Sequence, residues 1–359
     1  MLNRMILIFM LILLLFCSVN AQESERSQKR IVNVSGEVYE SEAVTEQLAT
    51  GPFSRVILNT SGGFSGSVSL KAAESGYKLK YYKKMKARSM DEAQHFANFI
   101  DVKTTQNNGD LIIEANAKLD SPWQGTDQAG MIRLEITVPQ SIQVEVNAEN
   151  FDTHVVGPFS NVRVKNEFGR IMVSGVTEKL SIASSNSQVL ISEIRGEVEV
   201  FTSNNMIRAR DVDTGDKVAV LSNEYGVIEI SNFAGKLDCE TSYASVDARG
   251  LKLLGDGSRI ITSYGSIDAE IVELQNAVLY LEDNFSNVEV TLPEDVESTF
   301  DLNVDRGGRI QMTGIPIVPE ELESERLLAR TDNPNSQIRV DISGIGTVSI
   351  KGRKVYGSP

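Results

Sequence analysis

Four carboxylates invite a chemical reading of this sequence. Glu229, Asp247, Asp268 and Glu289 follow one another at 18, 21 and 21 residues. If those intervals bring them side by side, the row suits an acid/base pair or a polar ligand, since glycosidic bond cleavage needs two carboxyl groups held together. The same row, with Arg208 one interval upstream, also suits the solvated side of a strand, and that is the reading adopted.

Other reactive residue types are sparse. The two histidines, His95 and His154, lack the Cys/His spacing of a zinc site. Asp211, Asp213 and Asp216 lie in "RDVDTGDK", but no glutamate closes a calcium loop, and a solvated turn is expected. "GGFSGS", 62–67, is not a nucleophile elbow, because a glycine follows Ser65 one place too early. No phosphate-binding loop of the G-x-x-x-x-G-K type occurs. No catalytic residue, cofactor or metal ligand is therefore assigned.

Whatever positions the carboxylates must repeat as they do. Phe168, Tyr225, Tyr243, Tyr264 and Phe285 mark a recurring phrase of polar, aromatic and small residues, with Asn186 and Asn204 in the same place in two weaker copies. Three and five residues after each marker stands an apolar couplet, such as Ile171/Val173, Ile228/Ile230, Val246/Ala248 and Val288/Val290. A second couplet precedes it, as in Leu180/Ile182 and Leu237/Cys239. Alternation with period two puts apolar residues on one face of a strand and Glu229 or Asp268 on the other. A fixed period near 20 residues describes a stack of like units, each too small to bury its own apolar face. The expected fold is all-β, a parallel single-stranded β-helix with about 18–22 residues per coil.

The marker phrase is then a corner. Asn and Ser bond nearby backbone, and Gly accepts turn conformations. Stacked coils set corner residues about 4.8 Å apart, so the five aromatics are expected to form a packing ladder. The alternative, an antiparallel sandwich, would want hairpin turns that the repeat zone lacks apart from "GDG" at 255–257.

The run "RLEITVPQSIQVEVNAENFDTHVVGPFSNVRVKNEFGRIMVSGV", 133–176, resembles the bacterial putative-adhesin β-strand repeat family. Val138-Pro139 with Val144/Val146 fits its lead-in, and Gly169, Gly226 and Gly265 fit its coil glycine. The resemblance covers about 133–312 and implies a right-handed β-helix with a surface or envelope role. It carries no catalytic residue.

The flanks differ from the repeats. Arg4, an apolar run from Met5 to Phe16 and Val19-Asn20-Ala21 have the layout of a secretory signal, cut between Ala21 and Gln22. Residues 22–55 are expected to be partly flexible, and 56–140 to form a β region with an early coil at 56–70. Within it, "YKLKYYKKMKAR" (77–88) reads as an edge strand with lysines outward. Ser89 with Glu92 fits a capping box, and Met90, Ala93, Phe96, Ala97 and Ile100 share a face, so a short helix near 90–100 would cap the open end. Repeats occupy 141–312, an inserted loop with one or two helical turns spans 313–337, and 338–359 supplies the final coil and tail.

Without residues 1–21 the chain holds 34 basic and 49 acidic residues, a formal charge of 34 − 49 = −15. That balance repels nucleic acid and anionic membranes. Cys239 is then the only cysteine, so no internal disulfide forms, and a buried strand position is expected for it. No transmembrane span is expected in the mature chain. These readings converge on an exported, non-enzymatic adhesin-like or envelope scaffold in the periplasm or outside the cell. Its partner would be a surface component, glycan or protein. The alternatives are a carbohydrate-active β-helix and a self-assembling envelope solenoid.

Overall fold

The computed structural model describes residues 30–354 except 49–50, 52, 119 and 141. The signal sequence and its cleavage site, Ala21 and Gln22, lie outside the described residues. The chain is all-β, with one α-helix (α1, Met90–Ala97) among the described residues. Its sheet is mostly parallel but mixed, with antiparallel pairs at both ends.

The intervals seen in the sequence are the register of the sheet. Ile207 pairs with Ile228, Ile228 with Val246, Val246 with Ile267 and Ile267 with Val288, always in parallel. The upstream couplets do the same: Leu221 pairs with Cys239, Cys239 with Ile260 and Ile260 with Leu281. Each repeat thus contributes one strand to each of two parallel ladders. Period two decides which side chains go inward. Ile228, Val246 and Ile267 are at most 1% exposed, and Cys239 is fully buried.

The two ends depart from simple stacking. The segment Ser336–Ile342 pairs in parallel with Val278–Asp283 on one side and with Ser298–Val304 on the other. The last repeat in sequence is therefore not the last in space. A like inversion occurs at the N-terminal end. The strands Arg55–Ser61 and Ser65–Ala73 lie between 143–156 and the strands Asp110–Ala117 and Ala129–Pro139.

Antiparallel strands close both ends. Residues 30–47 form the strands Ile31–Ser35, Val38–Ser41 and Val44–Gln47. The latter two pair with Lys78–Lys86, whose other side pairs with Ala129–Pro139. The lysine-rich strand is therefore an inner strand, not the expected edge, because sequence-distant strands were available to satisfy both of its sides. At the other end the expected helical turns are absent. Val318–Leu322 and Arg326–Arg330 form an antiparallel hairpin whose second strand pairs with Ser298–Val304. Leu327 and Ala329 alternate inward there opposite Leu302 and Phe300, and that burial outweighs helix propensity.

Helix α1 follows its sequence cues. Ser89 Oγ accepts from Glu92 N–H at 3.2 Å, and Glu92 Oε2 accepts from Arg88 N–H at 2.7 Å. Ala93, Phe96 and Ala97 are buried, with Phe96 edge-on to Trp123, whereas Met90 is exposed. Lys83 Nζ donates to the Ala97 carbonyl at 2.7 Å, a cation at the negative end of the helix. Ser89→Ala should lower stability by about 1 kcal/mol and speed amide exchange over 90–97. Unchanged exchange there would show that packing alone holds the helix.

Candidate functional site

The corner residues stand at one edge of the downstream ladder. Tyr225, Tyr243, Tyr264 and Phe285 form a continuous stack with centroids 5.0, 5.2 and 5.3 Å apart and planes within 12° of parallel. Each is 53–57% exposed. Within the stack their faces are turned to one another. A ligand that stacks on an aromatic face finds none free between the rungs. Phe168 is not part of this stack. Asn186 and Asn204 intervene and make a polar rung of their own, Asn204 Nδ2 donating to Asn186 Oδ1 at 3.0 Å.

Two residues before each marker, sequence inspection missed a second column, pointing inward. Asn166, Asn223, Thr241, Thr262 and Asp283 are all buried. Their side chains satisfy corner backbone that the sheet leaves unpaired. Asn166 Nδ2 donates to the Phe151 carbonyl, Asn223 Nδ2 to that of Asn205, Thr241 Oγ1 to that of Gly226 and Thr262 Oγ1 to that of Ala244. The Asn, Thr or Asp at this place in the five copies with an aromatic marker was the available signal. Glycine beside the aromatic has the same origin, since a Cβ on Gly226 or Gly265 would sit within 2 Å of the carbonyl oxygen one repeat below.

The four carboxylates do come together. Arg208 pairs in register with Glu229, Glu229 with Asp247, Asp247 with Asp268 and Asp268 with Glu289. All are partly exposed on the outward face. Cations hold them. Arg208 Nε is 2.7 Å from Glu229, Arg249 Nε is 2.7 Å from Asp247, and Lys351 Nζ binds Glu289. Arg249 also approaches Asp268 at 3.5 Å. Burial, then the neighbouring Asp247, raises the Asp268 carboxyl above the ordinary range, and Arg249 opposes the rise.

Among the other residues singled out from the sequence, Asp211 Oδ1 accepts from Asn232 Nδ2 of the next repeat at 2.9 Å and Asp213 Oδ1 from Gly215 N–H at 3.1 Å. Both carboxylates are thus engaged by the chain's own donors, within a segment that is strand rather than the expected turn. His95 packs edge-on to Phe99. His154 lies on the outward face, its imidazole held below the ordinary value by burial and then by Lys71. No helix among the described residues is long and apolar enough to cross a membrane.

No protein-family model matches the chain, and a search of curated proteins finds no significant match. Solved structures give distant likenesses. A putative cell adhesion protein from Clostridium sporogenes is 11% identical over 87% of this chain and 99% of that chain, with a TM-score of 0.22. A putative adhesin from Bacteroides fragilis is 10% identical over 86% and 97%, with a TM-score of 0.27. A putative lipid binding protein from Parabacteroides distasonis is 11% identical over 85% and 96%, with a TM-score of 0.28. Likeness at these levels says nothing of activity.

Proposed function

We propose that the chain is an exported, non-enzymatic β-solenoid of adhesin-like or cell-envelope type, a rigid scaffold that holds its partner on an outward face. The two parallel ladders, advancing 18 or 21 residues per step, support one coil per repeat. The observation that carries the binding reading is the pairing of the carboxylate row. Arg208, Arg249 and Lys351 occupy the groups that an acid/base mechanism would need free. A salt-laced outward face keeps a long sheet soluble while leaving it flat and accessible.

Self-assembly through the C-terminal end finds less support. The outermost strand Val318–Leu322 carries Pro319, Glu320 and Glu321, which blunt an edge.

The raised carboxyl of Asp268 favours the second reading, a carbohydrate-active β-helix. Prolonged incubation of the protein with neutral and acidic polysaccharides, followed by reducing-end analysis, separates the two. The scaffold reading expects no new ends. Turnover that vanishes in both Asp247→Asn and Asp268→Asn would replace it with the enzymatic one.

A further inference from the structure

The charge of this acidic chain is unevenly placed. Toward the N-terminal end of the outward face, Lys78–Lys86 lies beside Ala129–Pro139, which lies beside Ser65–Ala73. Lys71, Lys78 and Lys86 have no ion-pair partner among the described residues, and Lys84 meets Glu40 only at 3.9 Å. Arg133 reaches Glu135 at 3.3 Å and lies across the Tyr82 ring, donating to its hydroxyl at 3.2 Å. Here cations outnumber the carboxylates that could neutralise them, the reverse of the chain as a whole.

A trough of about 480 Å³ runs across this region. Its floor is low because the strand beneath is made of small residues, Ser65, Gly66 and Ser67. Gly66, between the two outward serines, faces the core, where a Cβ would meet the Ile132 carbonyl oxygen at 2.2 Å and the buried Phe151 ring at 2.5 Å, so this strand lies close against its neighbours. Tyr82, Lys84 and Arg133 stand at one end of the trough and Phe168 at the other. Its one acid, Asp152, has an oxygen engaged by Arg170 N–H at 2.9 Å. Phe168 is 47% exposed, and among the described residues its ring pairs with no other ring, unlike the four stacked aromatics.

We infer that this trough is a binding site for an acidic oligosaccharide. Lys84 and Arg133 would take a sugar carboxylate, with Arg133 supplying a planar fork. Ser65 and Ser67 would bond ring hydroxyls, and the apolar face of another sugar would lie against Phe168. From the strand of Arg133 to that of Phe168 is three strand steps, roughly 14 Å at about 4.8 Å each. That length calls for a short oligomer rather than a single sugar. Nucleic acid fits less well, because the strong negative charge of the rest of the chain repels an extended polyanion, whereas a short oligomer stays within the basic region.

Calorimetry with oligogalacturonate of three to six sugars, at low and at physiological salt, tests this. The fully methyl-esterified oligomer serves as a neutral twin, and single-stranded DNA as a rival polyanion. Binding is expected for the acid form and not for the ester. Arg133→Glu and Phe168→Ala should each weaken it about tenfold or more, a loss of about 1.4 kcal/mol. Arg309→Glu, at the other end of the same face, should change nothing. Melting curves identify any variant that misfolds, and Phe168→Ala removes only an exposed ring. The site is overturned if the acid form does not bind, if the ester binds equally, if Phe168→Ala has no effect, or if DNA competes on equal terms. The inference rests on the binding reading above, yet the two fail separately: an oligomer bound in the trough but recovered cleaved would sink the scaffold and keep the site.

Discussion

Ile228→Asp should unravel the middle of the stack. Ile228 is fully buried and pairs in register between Ile207 and Val246. A carboxylate there has no hydrogen-bond partner and no water. Burial of an uncompensated charge costs several kcal/mol, against a total stability of about 5–15 kcal/mol. Neighbouring repeats lose a wall when one unit opens, so damage spreads along the ladder. Limited proteolysis should cut the variant between roughly 200 and 290, where the unaltered protein is expected to resist. Glu229→Lys, the next residue, faces outward and should leave the melting temperature close to that of the unaltered protein. Equal resistance in both variants, or greater harm from Glu229→Lys, would invert the assignment of inner and outer faces.

Asp283→Asn should stabilise the protein at neutral pH and not at pH 4. Asp283 belongs to the buried polar column. One of its oxygens accepts from Phe285 N–H at 3.1 Å, while Oδ2 is buried without a partner. Thr262, which donates to the Ala244 carbonyl, pairs in register with Asp283, so by analogy the Asp283 carboxyl should stand toward the Gly265 carbonyl one repeat below. An ionised carboxyl would meet it as a second acceptor, and protonation would relieve the clash. Burial pushes its pKa up to about 6, against the corner N–H groups of Phe285, Ser286 and Asn284, which lower it. An ordinary aspartate titrates near 4. The folded state therefore holds a proton that the unfolded chain releases between about pH 4 and 6. Stability from this group is fully present below about pH 4 and falls as pH rises through 6. Two pKa units correspond to roughly 3 kcal/mol. Asn166 and Asn223 show the remedy, donating Nδ2 to a carbonyl from the same place in other repeats. Urea titrations at pH 4 and 7 should show the variant's advantage only at the higher pH. An equal difference at both values would mean that Asp283 is ionised throughout.

What the sequence by itself determined was the unit and its orientation. Alternation at Ile228/Ile230 and Val246/Ala248 names the buried side, and the spacing of Tyr225, Tyr243, Tyr264 and Phe285 names the register, because both are local consequences of a two-residue period and a fixed repeat. The row from Glu229 to Glu289 was legible for the same reason. Its neutralisation was only partly so. Arg208 lies on the same column, but Lys351 reaches Glu289 from 62 residues away.

Only the tertiary structure decided the order of strands at the two ends. All these strands share one pattern, so any could pair with any other, and local preference does not choose among them. The chain places 336–342 inside 298–304 and 55–61 inside 110–116, and it then covers both ends with antiparallel strands. Closing exposed edges is a requirement of the whole sheet and leaves no mark on a single strand. The basic trough is a product of that same closure. Lys84, Arg133 and Phe168 belong to segments with no periodic relation to one another, and they meet because the end strands double back over the first repeats.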